Sequence, residues 1–192
     1  MALGSNPDAR LVDALVERCA VEPEFHVREM LTWALIRHEP AVTVPKLVDA
    51  TRDGRPQARS QALHTLSKIG DRRAWPAITH ALLTDADDEV ARSAWRAAVV
   101  LVPDDKREEL AKLLATQLGR GPRDTRLSLS RALIALGDET VLRAKRTAAD
   151  PRVRQHAVAT EELWRDPEAG FELAIDEAKR IVALGGNSRE GS

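Results

Sequence analysis

Residues 63–71 read LHTLSKIGD, and residues 130–138 read SRALIALGD. One helix ending, an apolar residue followed by glycine and aspartate, is written twice, 67 residues apart. That is close to two units of about 33 residues, a spacing typical of stacked helical repeats. The glycine reads as a helix C-cap and the aspartate as the start of the next turn. Working back from such endings gives five comparable segments. They are VREMLTWALIRHEP from Val27, ARSQALHTLSKIGD from Ala58, VARSAWRAAVVLVPD from Val90, TRLSLSRALIALGD from Thr125 and VRQHAVATEELWRDP from Val153.

With each start as position zero, position four holds Leu31, Ala62, Ala94, Leu129 and Ala157. Position eight holds Leu35, Leu66, Ala98, Leu133 and Glu161, and position eleven His38, Ile69, Leu101, Leu136 and Trp164. At about 100° per residue these positions share one helical face, so each segment is an amphipathic helix with a packed side. Glu161 departs from the pattern, which implies that the array ends there. A second helix precedes each segment. PKLVDAT from Pro45 and PAITHALL from Pro76 align at their prolines, and proline is favoured at the first helical position. Leu11, Leu15 and Cys19 mark the equivalent helix of the first unit, and Leu110, Leu113, Leu114 and Leu118 that of the fourth.

One such pair cannot bury its own apolar face, so the units must stack. No run alternates apolar and polar residues for long enough to be a convincing strand. Residues 168–184, with Phe171, Ile175, Ala178, Ile181 and Val182, read as a further amphipathic helix that caps the stack. Residues 185–192 read as a disordered tail. The expected fold is all-α: a right-handed α-solenoid of about five antiparallel helix pairs plus a C-terminal capping helix, one domain over residues 1–184.

The aspartate-rich turns followed by arginine, in DPRVR (150–154), DADDEVAR (85–92) and PRDTR (122–126), together with the IGD and LGD endings, resemble the HEAT-repeat family. The likeness is closest to its short, phycobilisome-lyase-like form and covers roughly residues 8–166. In that family the arginine after the turn helps build a ladder between neighbouring repeats. Arg28, Arg59, Arg126 and Arg154 occupy that position, with Glu24, Asp124 and Asp150 as candidate partners. The third unit has Ala91 there, and Arg92 one place later.

Composition narrows the function classes. Of 192 residues 43% are apolar and 31% charged, enough for a core and unlike a disordered chain. Lys plus Arg is 29 against 30 for Asp plus Glu, a net charge of −1, which counts against a large nucleic-acid footprint. The single cysteine, Cys19, excludes an intrachain disulfide and reads as a small core hydrophobe. The longest apolar run, residues 97–102, is far too short for a bilayer, so a cytoplasmic protein without membrane association is expected. The richness in Ala, Arg and Leu fits a bacterial source. Some HEAT-repeat enzymes hold iron with several His-Glu pairs, but only His38-Glu39 has that form here. No catalytic residue, metal site or cofactor is therefore assigned.

The remaining signal is a column. Position six of the second helices holds Trp33, His64, Arg96 and Arg131, away from the packed side, with Arg92, Arg37 and Lys68 around it. Second helices of solenoids line the concave surface where partners bind, and Trp and Arg are frequent binding anchors. The expected function is a scaffold, monomeric and non-enzymatic, that takes an acidic or mixed segment of another protein in its groove. The resemblance implies one alternative, a chromophore lyase or chaperone-lyase, and the arginine column another, a nucleic-acid-binding protein.

Overall fold

The computed structural model describes residues 8–167, together with 179 and 182. Among the described residues there are ten α-helices, short 3-10 turns and no strand. The α-helices are α1 Val12–Val21, α2 Phe25–Ile36, α3 Pro40–Ala50, α4 Pro56–Ile69 and α5 His80–Leu83. There follow α6 Asp88–Leu101, α7 Arg107–Ala115, α8 Arg123–Leu136, α9 Glu139–Lys145 and α10 Pro151–Arg165. They pack in chain order as five hairpins: α1 on α2, α3 on α4, α5 on α6, α7 on α8 and α9 on α10. This is the stacked-hairpin architecture of a helical solenoid. The chain divides into two compact units, residues 1–103 with three hairpins and 104–192 with two. Of the expected capping helix only Lys179 and Val182 are described, both helical, and the rest of it and the tail lie outside the described residues.

The punctuation that defined the repeat does what its chemistry requires. Gly70 and Gly137 end α4 and α8 at φ 69° and 80°, a left-handed conformation that a side chain would strain. The next residues, Asp71 and Asp138, accept the backbone N–H groups of Arg73 and Thr140 at 3.0 Å and turn the chain into the following segment. The prolines behave differently from expectation. Pro45 lies inside α3, and Pro76 lies in the 3-10 turn Arg72–Ala77. The first-position preference is instead met by Pro40, Pro56 and Pro151. Pro40 is placed early enough for α3 to begin there, so Pro45 is overrun. The 3-10 turn absorbs Pro76, and the short α5 starts later, capped by Thr79.

Most of the packed face is as the periodicity placed it, with Leu31, Ile69 and Trp164 only half-buried. Ala62, Ala94, Leu129, Ala157, Leu35, Leu66, Ala98 and Leu133 are all buried. Glu161 of α10, in the last described hairpin, is buried as well, so the departure from the apolar pattern is not a departure from the packed face. Its carboxylate is held by Arg146 at 3.4 Å and Arg165 at 3.7 Å, so a charged residue keeps a core position by pairing. In the first unit α4 packs on α1, α2, α3 and α6. Trp95 of α6 is fully buried, and its indole N–H donates to the Leu83 carbonyl at 2.9 Å. Cys19 is buried too, and that burial pushes its thiol up to about 12, so it packs as an inert apolar residue.

The arginines after the turns are structural, by a route other than the expected carboxylates. Arg28 donates to the carbonyls of Glu22 and Pro23 at 3.0 and 2.6 Å. Arg59 donates to those of Asp53 and Gly54 at 3.0 and 3.1 Å. Arg154 does the same to Ala148 and Ala149 at 2.6 and 2.8 Å. Each guanidinium folds back on the loop entering its own helix, satisfying carbonyls that no helix bond reaches. Arg59 also reaches Asp85 in the next hairpin at 3.0 Å. Asp150, expected to partner Arg154, instead accepts the N–H of Arg152 at 2.8 Å and pairs with its guanidinium.

Candidate interaction face

The second helices α2, α4 and α6 of the first unit lie side by side, tied by small hydroxyls. Thr32 meets Thr65 at 3.5 Å, and Ser60 meets Ser93 at 3.0 Å, each pair 33 residues apart. The repeat period thus appears again as a contact. This packing brings together most of the residues singled out by position. His64 Nε2 lies 3.1 Å from the Glu29 carboxylate. Burial lowers the His64 pKa below the usual imidazole range. Glu29 opposes that shift, while Arg96 and Lys68 reinforce it. Arg96 donates to the Ser93 hydroxyl at 2.9 Å. Its own pKa is lowered, first by partial burial and then by the neighbouring Arg92. Arg92 pairs with Glu89 at 2.5 Å. Lys68 is exposed at the end of α4.

Trp33 stands at the α2 side of this cluster and is 37% exposed. The Arg37 guanidinium lies over its ring, 4.9 Å from the centroid, a cation–π contact that holds both groups on the surface. Arg131 belongs to the second unit, where it is exposed on α8. In the first unit, then, an aromatic end on α2 passes into a basic end on α4 and α6, with Glu29 and Glu89 between the cations.

Position six alone did not reveal the rest of the apolar end. Phe25, Met30 and Ile36 of α2 are also exposed. Their signal was present in the sequence, since α2 is apolar on every side, and a helix of that kind requires more than one partner.

Among the described residues no group of three or more His, Cys, Asp or Glu side chains is arranged to hold a metal ion. His156 is the most buried histidine and is fully engaged in the second unit. The Gly119 N–H donates to Nδ1 at 3.0 Å, so Nε2 carries the proton and meets the Arg126 carbonyl and the Ser130 hydroxyl, both at 3.0 Å. No helix among the described residues is long and apolar enough to cross a membrane.

Residues 12–99 match the HEAT-repeat family. That segment carries HEAT repeats. The matched segment falls within the first unit and takes in α2, α4 and all but the last two residues of α6. Between successive hairpins of this segment run the Arg59–Asp85 ion pair and the paired hydroxyls at 32/65 and 60/93. The chain is also similar to two crystal structures of engineered proteins from the Northeast Structural Genomics Consortium. One is 17% identical with a TM-score of 0.49, over 91% of this chain and 97% of that one. The other is 19% identical with a TM-score of 0.49, over 95% of this chain and 59% of that one. No curated protein matches the sequence.

Proposed function

We propose that this HEAT-repeat chain is a scaffold that binds another protein along its second-helix face and takes an acidic segment there. Trp33, Arg37, His64, Lys68, Arg92, Arg96 and Arg131 are the residues assigned to that contact. The observation that carries this reading is the crowding of Arg92 and Arg96, one turn apart on α6. The proximity of Arg92 contributes to the lowered pKa of Arg96. An incoming carboxylate relieves that repulsion and meets a geometry suited to bidentate pairing. Trp33 supplies the apolar anchor that such contacts usually need.

The test is recovery of partners from the native host, quantified by mass spectrometry, with wild type and the Arg96→Glu/Arg131→Glu double variant as baits. The double variant should lose a specific protein while its helicity and melting stay unchanged. Equal recovery by both baits defeats the assignment. A nucleic-acid ligand would reveal itself instead by affinity that falls steeply with salt.

A further inference from the structure

The repeat writes an apolar residue at position eight in four units, Leu35, Leu66, Ala98 and Leu133, and a glutamate in the fifth. Glu161 packs there with only 8% of its side chain exposed. Its pairing is thin. Arg146 at 3.4 Å and Arg165 at 3.7 Å both reach the same oxygen, Oε2. A strong charge-assisted bond is shorter, roughly 2.7–2.9 Å. Oε1 is buried and meets no donor among the described residues. A buried carboxylate oxygen without a donor is costly and calls for an explanation. An apolar side chain fills the same position in the other units without that cost.

Glu161 also lines a cavity of about 210 Å³ in the second unit, together with Glu139 and Arg143 of α9 and Trp164 and Arg165 of α10. A cavity of about 150 Å³ holds a benzene-sized molecule, so this one suits a ligand a little larger. We propose that it binds a small zwitterion, a free α-amino acid with an apolar side chain.

Charge balance selects the class. The carboxylates of Glu139, Glu161 and Glu162 are matched by the guanidinium groups of Arg143, Arg146 and Arg165 that pair with them. A ligand of single charge leaves this cluster unbalanced, whereas an ammonium and a carboxylate on one carbon leave it neutral. The ammonium supplies the Glu161 carboxylate with the donor it lacks. The ligand's carboxylate goes to Arg143. That guanidinium gives Glu139 one nitrogen, Nη2, at 2.6 Å, and its side chain is 68% exposed. The fork therefore has N–H groups to offer a second carboxylate. Arg165 is tied more closely, to Glu162 and Glu161. The apolar side chain lies against the half-buried Trp164, three residues beyond Glu161 on the same side of the helix. The N-terminus of a peptide would offer the ammonium alone and leave Arg143 unmet.

The experiment is an NMR titration of the isotope-labelled full chain with L-leucine from about 0.05 to 50 mM, the affinity range open to so small a ligand. The Trp164 indole N–H resonance, assigned by its loss in Trp164→Phe, should shift and saturate. Two fragments of leucine separate its ends: 3-methylbutylamine keeps the ammonium, and 4-methylpentanoate keeps the carboxylate. Each should bind about tenfold more weakly than leucine or worse. Arg143→Gln, at an exposed position, should weaken leucine about tenfold and bring it level with the amine. Glu161→Gln, which keeps the shape of the side chain, should weaken leucine by a similar factor. Helicity should be unchanged in both variants, and Arg143→Gln alone decides if Glu161→Gln does not fold. The proposal is overturned if the wild type shows no saturable shift by the top concentration. Either fragment binding as tightly as leucine also overturns it, as does a folded variant that binds leucine like the wild type. The cavity shares no residue with the proposed protein-binding face, so this proposal and that reading fail separately.

Discussion

His156 condenses what a single buried polar side chain can do in this fold. Its ring closes a chain of bonds: Gly119 N–H to Nδ1, Nε2–H to the Arg126 carbonyl and Ser130, Ser130 to Thr160 at 2.8 Å, and Thr160 back to the His156 carbonyl at 2.8 Å. Gly119 can come so close because it has no side chain. A Cβ there would lie 3.2 Å from the backbone of Arg152 and Val153, at a backbone φ of +85°. The ring must stay neutral to accept from an amide, and burial pushes its pKa down to about 4. The unfolded chain takes up the proton near 6.5, and the folded chain only near 4. Between these values the unfolded state holds more protons, so stability is fully present above about 6.5 and falls as the pH drops toward 4. The loss is about 3 kcal/mol at its fullest. Urea midpoints at pH 7.5 and 4.5 should show it, and His156→Gln should remove this part of the slope. An identical slope in the variant would mean that His156 is not the group responsible.

At the scale of the element, the helices are set less by their interiors than by how they begin and end. α6 has no proline at its start and relies on Asp87, whose carboxylate accepts the N–H groups of Glu89 and Val90 at 2.9 and 3.1 Å. Asp88 and Glu89 add negative charge in the first turn, where the helix dipole favours it. Asp87→Ala should cost about 1 kcal/mol, while Asp87→Asn, which keeps the accepting oxygen, should cost only a few tenths. Equal losses in denaturant midpoint would show that the cap is not what Asp87 contributes. A related device recurs as aspartate, any residue, arginine. Asp8–Arg10, Asp53–Arg55, Asp71–Arg73 and Asp150–Arg152 each place the carboxylate on the N–H two residues ahead and on the guanidinium it carries. The arginines hold these carboxyls below the usual aspartate range, to about 2 for Asp8 and Asp53. This spacing is visible in the sequence and marks helix entries as reliably as the glycines mark exits.

At the scale of the molecule, stability in a repeat array is a sum of hairpins and the interfaces between them. α4 packs against four other helices, so its buried Leu66 is where truncation should be felt most. Leu66→Ala should cost about 2–5 kcal/mol, whereas Val100→Ser, on an exposed position, should stay within about 0.5 kcal/mol. Comparable urea midpoints for the two would mean that the register of the packed face is wrong. That register was legible in the sequence, because periodicity and the glycine exits report which face of a helix must leave water. The helix class, the five hairpins and the burial of positions four and eight, Leu31 excepted, follow from it. Three features were not legible. Pro45 was overrun because an earlier proline could open the same helix. Glu161 kept a core place because Arg146 came within reach from the end of α9 and joined Arg165 one turn along the same helix. Phe25, Met30, Trp33 and Ile36 of α2 stayed exposed because no other described helix packs over them. Local pattern alone determined that this chain must fold as stacked amphipathic hairpins, since hydrophobic spacing and caps act within one helix. Only the tertiary structure decided which charges are neutralised and which apolar strip is left to water, since both depend on residues brought close by packing rather than by sequence.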